Sequence, residues 1–189
     1  DTYRGGERDY AAEMGEVVSD AAPIAGFLVE SMLSCAGQIP LPPGYLTAVF
    51  EHVRAAGGLC IADEVQVGFG RVGSHMWAFE EHGVVPDIVV MGKPMGNGHP
   101  MAAVFTTPEI AASFEEMEFF STFGGNPVSC AIGMAVLDTI EEDGLMQRAT
   151  EMGERFMVGL RELQERYSII GDVRGRGLFL GFELVRDRE

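Results

Sequence analysis

The chain has 189 residues, 47% of them hydrophobic and 9% aromatic, with 13 Lys+Arg against 29 Asp+Glu and a formal net charge of −16. That length and apolar fraction allow one full-sized domain, or part of a larger protein, with a real core, and exclude a disordered chain. The acidic balance argues against nucleic acid and anionic membrane as partners, because the phosphate term would be repulsive, and no apolar run reaches the roughly 18 residues of a membrane span.

The opening DTYRGGERDY is polar and shows no secretory signal; Tyr10, Met14, Val17 and Val18 stand at helical spacing and predict a partial helix. PIAGFLVE (23–30) reads as a buried strand. After the turn at Pro40, Pro42 and Pro43, LTAVFEHVRAAGG (46–58) reads as an amphipathic helix closed by Gly57 and Gly58. LCIADEV (59–65), PDIVVMG (86–92) and MAAVFTT (101–107) read as three further strands. Asn126 and Pro127 have the form of an N-cap followed by proline at the first helical position, opening a helix through AIGMAVLDTIEED. Met152, Phe156, Leu160 and Leu163 mark an apolar stripe on a second long helix, and LFLGFELV (178–185) reads as a last strand. Strands apolar throughout, separated by helices, predict an α/β fold: a mostly parallel sheet covered by helices on both faces, with the last strand beginning a second domain. Cys35, Cys60 and Cys130 are odd in number and far apart, which suits free thiols in a reducing compartment and predicts a cytoplasmic protein.

Twelve of the basic residues are arginine and one, Lys93, is lysine. Arginine cannot lose its proton and attack a carbonyl, so a lone lysine in such a chain is a candidate for amine chemistry; its survival by chance is the plain alternative. Lys93 follows PDIVVMG, and Asp63 and Glu64 end the strand before it. In open parallel sheets ligands bind beyond the carboxyl ends of the strands, so two strand ends would bring a carboxylate and the only lysine amine to one rim. A partly desolvated ammonium there has a lowered pKa and becomes a nucleophile toward an aldehyde.

GFGRVG (68–73) matches the dinucleotide fingerprint G-x-G-x-x-G, but Asp63, Glu64 and Gln66 intervene after the strand and no clean helix follows, so it reads as a glycine-rich loop letting backbone pass close to something. STFGGNP (121–127) offers hydroxyls, glycines and a capped helix start that suit a phosphate, or simply an ordinary cap. His52, His75, His82 and His99 show no metal spacing with the cysteines, so no metal is expected.

An amine, an acid and a phosphate seat together fit pyridoxal 5′-phosphate, whose enzymes use a lysine Schiff base and an acid on the pyridine nitrogen. The ordered blocks IADEVQVGFGRVGSHMWAF, VPDIVVMGKPMGNGHPMAAVFTT and STFGGNPVSCAIGMAVLDTI resemble the class III aminotransferase family of fold-type I pyridoxal phosphate enzymes. Within it, ESMLSCAGQ (30–38) and GKPMGNGHP resemble most the phospho-lyase branch acting on phosphoethanolamine or phosphohydroxylysine, with the alanine–glyoxylate aminotransferase-like branch close behind.

The resemblance implies that Lys93 holds the cofactor and later shuttles the substrate proton. It implies that Asp63 keeps the pyridine nitrogen protonated, that Val65 packs on the ring face, and that Gln66 bonds the ring's phenolic oxygen. Thr122 would reach the cofactor phosphate of a partner subunit, which implies a homodimer, and Glu30 would lie near the site. Cys35 stands where many members have a second acid, and the phospho-lyase branch resembles this chain there. By the same resemblance, 1–143 is part of the cofactor-binding large domain and 144–189 the start of a small C-terminal domain of a longer enzyme, with Arg174 structural. Amino-group transfer between an amine or amino acid and an oxo acid is the implied reaction; a phospho-lyase and a catalytically silent fragment are the alternatives.

Overall fold

Four strands form the central sheet of the computed structural model, which describes residues 9–21 and 23–188. In chain order the elements are α1 (Tyr10–Ala21), β1 (Gly26–Glu30), the two-residue strands β2 (Met32–Leu33) and β3 (Ile39–Pro40), α2 (Tyr45–Ala55) and β4 (Leu59–Asp63). A 3-10 turn (Ala78–His82), β5 (Ile88–Met91), a second 3-10 turn (Lys93–Gly96), β6 (Ala103–Thr106) and α3 (Pro108–Glu115) follow. The chain continues through α4 (Pro127–Glu142), α5 (Leu145–Arg166), β7 (Ile170–Arg176) and β8 (Phe179–Leu184).

The sheet order is β1-β4-β5-β6, with β1/β4 and β4/β5 parallel and β5/β6 antiparallel. The fold is therefore α/β, as the strand–helix alternation predicts. The antiparallel edge arises because β6 follows β5 through a 3-10 turn and a loop, too short for the helical crossover that a parallel neighbour needs.

Leu46, Val49, Phe50 and Val53 recur at the spacing of one helical face, and all are essentially fully buried. They meet Cys60 of β4 and Val18 of α1, with Phe27 and Val29 of β1 packed alongside. Alternation along a strand sends Leu28 to the other face, where it is exposed, as is Val104 of β6. Helices α1 and α2 thus cover one face of β1 and β4, while the opposite face stays apolar and open at Leu28 and Val104.

The 68–73 loop is explained by packing. A Cβ on Gly73, which has φ +82°, would lie 2.4 Å from Thr150 Oγ1 of α5, and Arg71 accepts a hydrogen bond from Leu178 N–H at 3.0 Å. What passes close is the chain's own α5 and the turn into β8. Val67, Val72, Met32, Ala78 and Phe179 form a second buried cluster there.

Three features depart from the sequence reading. β7, rich in charge and glycine, pairs antiparallel with β8 and went unanticipated, as did α3. On α5 the buried residues are Ala149, Gly153 and Leu160, whereas Met152, Phe156 and Leu163 of the expected stripe are exposed. The helix turns its small residues inward because it lies directly on the turn at Gly177.

Candidate functional site

Strand register builds the site. Glu30 pairs with Asp63 and Asp63 with Val90, so the last residues of β1 and β4 and the penultimate residue of β5 stand side by side at the carboxyl ends of three parallel strands. Lys93 follows three residues after Val90 and opens the 3-10 turn with φ 27°, outside the ordinary right-handed range.

Asp63 Oδ1 accepts the Val65 N–H at 2.9 Å, a local turn that fixes the carboxylate's direction; Oδ2 has no hydrogen bond among the described residues. Val65 lies against the backbone of Gly92, the residue before the lysine, with its Cγ1 3.4 Å from where a Cβ there would sit. Glu64 turns the other way and is fully buried, accepting the N–H groups of Ala78 at 2.8 Å and Phe79 at 3.1 Å. Burial pushes its carboxyl above the ordinary glutamate range, although those two N–H donors act against the shift. Of the adjacent acids at the strand end, Asp63 therefore faces the rim and Glu64 anchors a 3-10 turn.

Gln66 is held from the chain's other side. Its Nε2 donates to Ser34 Oγ at 2.6 Å and lies 3.8 Å from Cys35 Sγ. The Glu30 carboxylate accepts the Ser34 N–H, so Glu30 shapes the turn that meets Gln66. Arg174 of β7 closes this cluster from outside: its Nε donates to Gly37 O at 2.8 Å and its Nη1 to Asp172 Oδ2 at 2.7 Å. Arg174 thus ties the β7–β8 hairpin to the turn after β2, in agreement with a structural reading. Ser34 was missed by sequence reasoning, since its partner lies 32 residues away and no motif marks it.

Lys93 is exposed and has no ion-pair or hydrogen-bond partner among the described residues, so the desolvated pocket expected from sequence is not formed by those residues. Helices α1 and α2 cover the face of the sheet that carries Phe27 and Val29, and α4 packs beside the 93–96 turn without enclosing the amine. A cleft of about 640 Å³ between the Phe69–Arg71 loop, α4 and α5 is mainly apolar, and neither Lys93 nor Asp63 lines it. Thr122 lies elsewhere, on the exposed 116–126 loop beside Phe119, Phe120 and Phe123. The structure therefore brings together Glu30, Asp63, Val65, Gln66 and the Lys93 turn, and leaves Thr122 apart.

Residues 5–189 match the model of the family described as aminotransferase class-III. The chain is 58% identical over 168 residues to alanine–glyoxylate aminotransferase 2-like of Drosophila melanogaster, covering 88% of this chain and 34% of that protein. It is 52% identical over 171 residues to the human mitochondrial alanine–glyoxylate aminotransferase 2, covering 90% of this chain and 33% of that one. Among solved structures, a phospholyase from Arthrobacter in complex with phosphoethanolamine superposes with a TM-score of 0.86 at 43% identity, over 93% of this chain and 43% of that one. A taurine:2-oxoglutarate aminotransferase from Bifidobacterium kashiwanohense, in complex with PLP and glutamate, superposes at 0.89 with 29% identity, over 96% and 42%.

The chain belongs to the class III aminotransferase family, and it spans about a third of the curated relatives just named. The expected cytoplasmic location is corrected by the same comparison: relatives from human, Pongo abelii and Arabidopsis thaliana are named mitochondrial. Free thiols speak for a reducing compartment without distinguishing one such compartment from another, which is why the cysteine argument misled.

Proposed function

We propose that the chain binds pyridoxal 5′-phosphate through a Schiff base at Lys93 and serves amino-group transfer between an amine or amino acid and an oxo acid. The observation that carries this reading is the rim itself: the chain's one lysine follows β5 beside the strand-end carboxylate of Asp63, with Val65 against the intervening backbone. The donor set fits the cofactor chemically, offering a primary amine for the aldehyde, a carboxylate with a free oxygen for a protonated ring nitrogen, and an amide for the phenolic oxygen.

When bound, the cofactor supplies an electron sink for the charge left when a substrate gives up its α-proton. Asp63, aimed by the Val65 N–H, would hold the proton on the ring nitrogen. Lys93 Nζ would take the substrate's α-proton and return it. Val65 would bear on the ring face, and Gln66 would orient the ring through its amide. Thr122, on a loop of exposed aromatics, would complete the phosphate seat of a second copy, so the working unit would be a homodimer. Residues 1–143 would then belong to the cofactor-binding large domain and 144–189 to the small one.

A second reading is a phospho-lyase that releases phosphate from phosphoethanolamine. It is favoured by the Ser34–Cys35 turn standing against Gln66 and by the likeness to the Arthrobacter phospholyase. The test is to supply the cofactor-loaded protein with alanine and glyoxylate in one assay and phosphoethanolamine in another. Glycine and pyruvate are the expected products of the first. Inorganic phosphate from the second, without amine transfer in the first, would replace the transferase reading with the lyase.

A further inference from the structure

We propose that Ser34 is a positioning residue that sets the direction of the Gln66 amide; the importance of that direction for the cofactor rests on the function proposed above. Ser34 is 2% exposed and fixed from several sides. Its N–H goes to the Glu30 carboxylate, and its carbonyl accepts from Gly37 N at 3.0 Å, Gln38 N at 3.2 Å and Gln38 Nε2 at 3.2 Å. Gly37 is in turn held by Arg174 through its carbonyl. With the backbone so committed, the hydroxyl is the group left to act.

That hydroxyl donates toward Cys35 Sγ at 3.8 Å, which leaves an oxygen lone pair facing Gln66. The Gln66 amide therefore presents its nitrogen to Ser34, at 2.6 Å. An amide has two N–H groups and one carbonyl oxygen, so engaging one N–H fixes where the other N–H and the oxygen point. Replacing Ser34 by alanine removes the acceptor without adding bulk, and the amide is then free to turn. The residue acts through Gln66 and touches no reacting atom.

The test uses the full chain labelled with ¹⁵N-glutamine, whose four side-chain amides belong to Gln38, Gln66, Gln147 and Gln164. Gln66→Glu identifies the Gln66 signals by their loss. In Ser34→Ala the Gln66 amide is expected to move to the position of a free amide and exchange with water about fivefold faster, the change one ordinary hydrogen bond corresponds to. Gln147 and Gln164 stay in place, and Ser34→Thr restores the native signal. Should the alanine variant not fold, Ser34→Cys, with a weak sulfur acceptor in the same shape, is expected to free the amide in the same way.

Gln66 signals unchanged in a folded Ser34→Ala or Ser34→Cys chain would overturn the proposal. The visible absorption of the pyridoxal phosphate-loaded chain separates the two layers: a shift in Ser34→Ala that Ser34→Thr reverses supports both. A freed Gln66 with absorption unmoved by Ser34→Ala and by Gln66→Glu upholds the positioning role and removes Gln66 from the cofactor site.

Discussion

Asp63 and Glu64 are adjacent acids with opposite situations. Asp63 is partly exposed at the rim, while Glu64 is buried on two backbone N–H groups, and burial raises its pKa. A carboxyl whose folded pKa lies above its unfolded value binds protons more readily in the native state, so its contribution to stability is greatest below the unfolded pKa and is lost as pH rises through the folded one. The melting temperature of the wild type relative to Glu64→Gln is therefore expected to rise as pH is lowered from about 7 toward about 5; a difference independent of pH would contradict this account. Cys60 is likewise buried, and burial pushes its thiol up to about 11. A disulfide-exchange reagent should modify Cys35 and Cys130 in the native chain and Cys60 only after unfolding, counted by mass.

Lys93 and Asp63 were legible because each ends an apolar run, where strand geometry alone places a residue at the rim. Ser34 was not, because its role depends on a turn folding back onto a side chain far along the sequence.

Among the elements, α5 carries two glycines with different surroundings. A Cβ on Gly153 would lie 2.0 Å from the Gly177 carbonyl oxygen, whereas nothing stands within 4 Å of one on Gly159. Helix propensity alone favours alanine over glycine by roughly 1 kcal/mol at either position. At Gly159 that gain should appear as a raised melting temperature. At Gly153 the clash is with backbone that cannot swing aside, and overpacking of about 1–3 kcal/mol outweighs it. Gly159→Ala stabilising and Gly153→Ala destabilising in the same denaturant titration is the expected pair; equal effects would contradict the close approach of α5 to the turn.

The start of α4 was readable, since Asn126 Oδ1 caps Ser129 N–H at 2.9 Å with Pro127 following. β7 was not. Asp172, Arg174 and Arg176 break its apolar run, and it forms because β8 supplies the ladder while Arg174 finds Asp172, Glu183 and the Gly37 carbonyl.

For the whole molecule, apolar surface concentrates on the 116–126 loop, where Phe120 is 84% and Phe123 81% exposed. So much aromatic surface beside Thr122 fits burial against a second copy. In the homodimer proposed above, Phe120→Ser with Phe123→Ser is expected to shift the sedimentation profile toward monomer while leaving the melt cooperative; an unchanged dimer profile would place the contact elsewhere, and a monomeric wild type would contradict the proposed homodimer.

The central claim, a Schiff base at the one lysine, has a direct measurement. The chain is incubated with pyridoxal phosphate, reduced with borohydride and digested, and the peptide containing Lys93 is weighed. The N-terminal amine is the one competing primary amine, so the site is unambiguous. A phosphopyridoxyl mass on that peptide, absent in Lys93→Ala, is the predicted result. An unmodified Lys93 in folded protein would contradict the proposed function and leave a chain that has the family's fold without its cofactor chemistry.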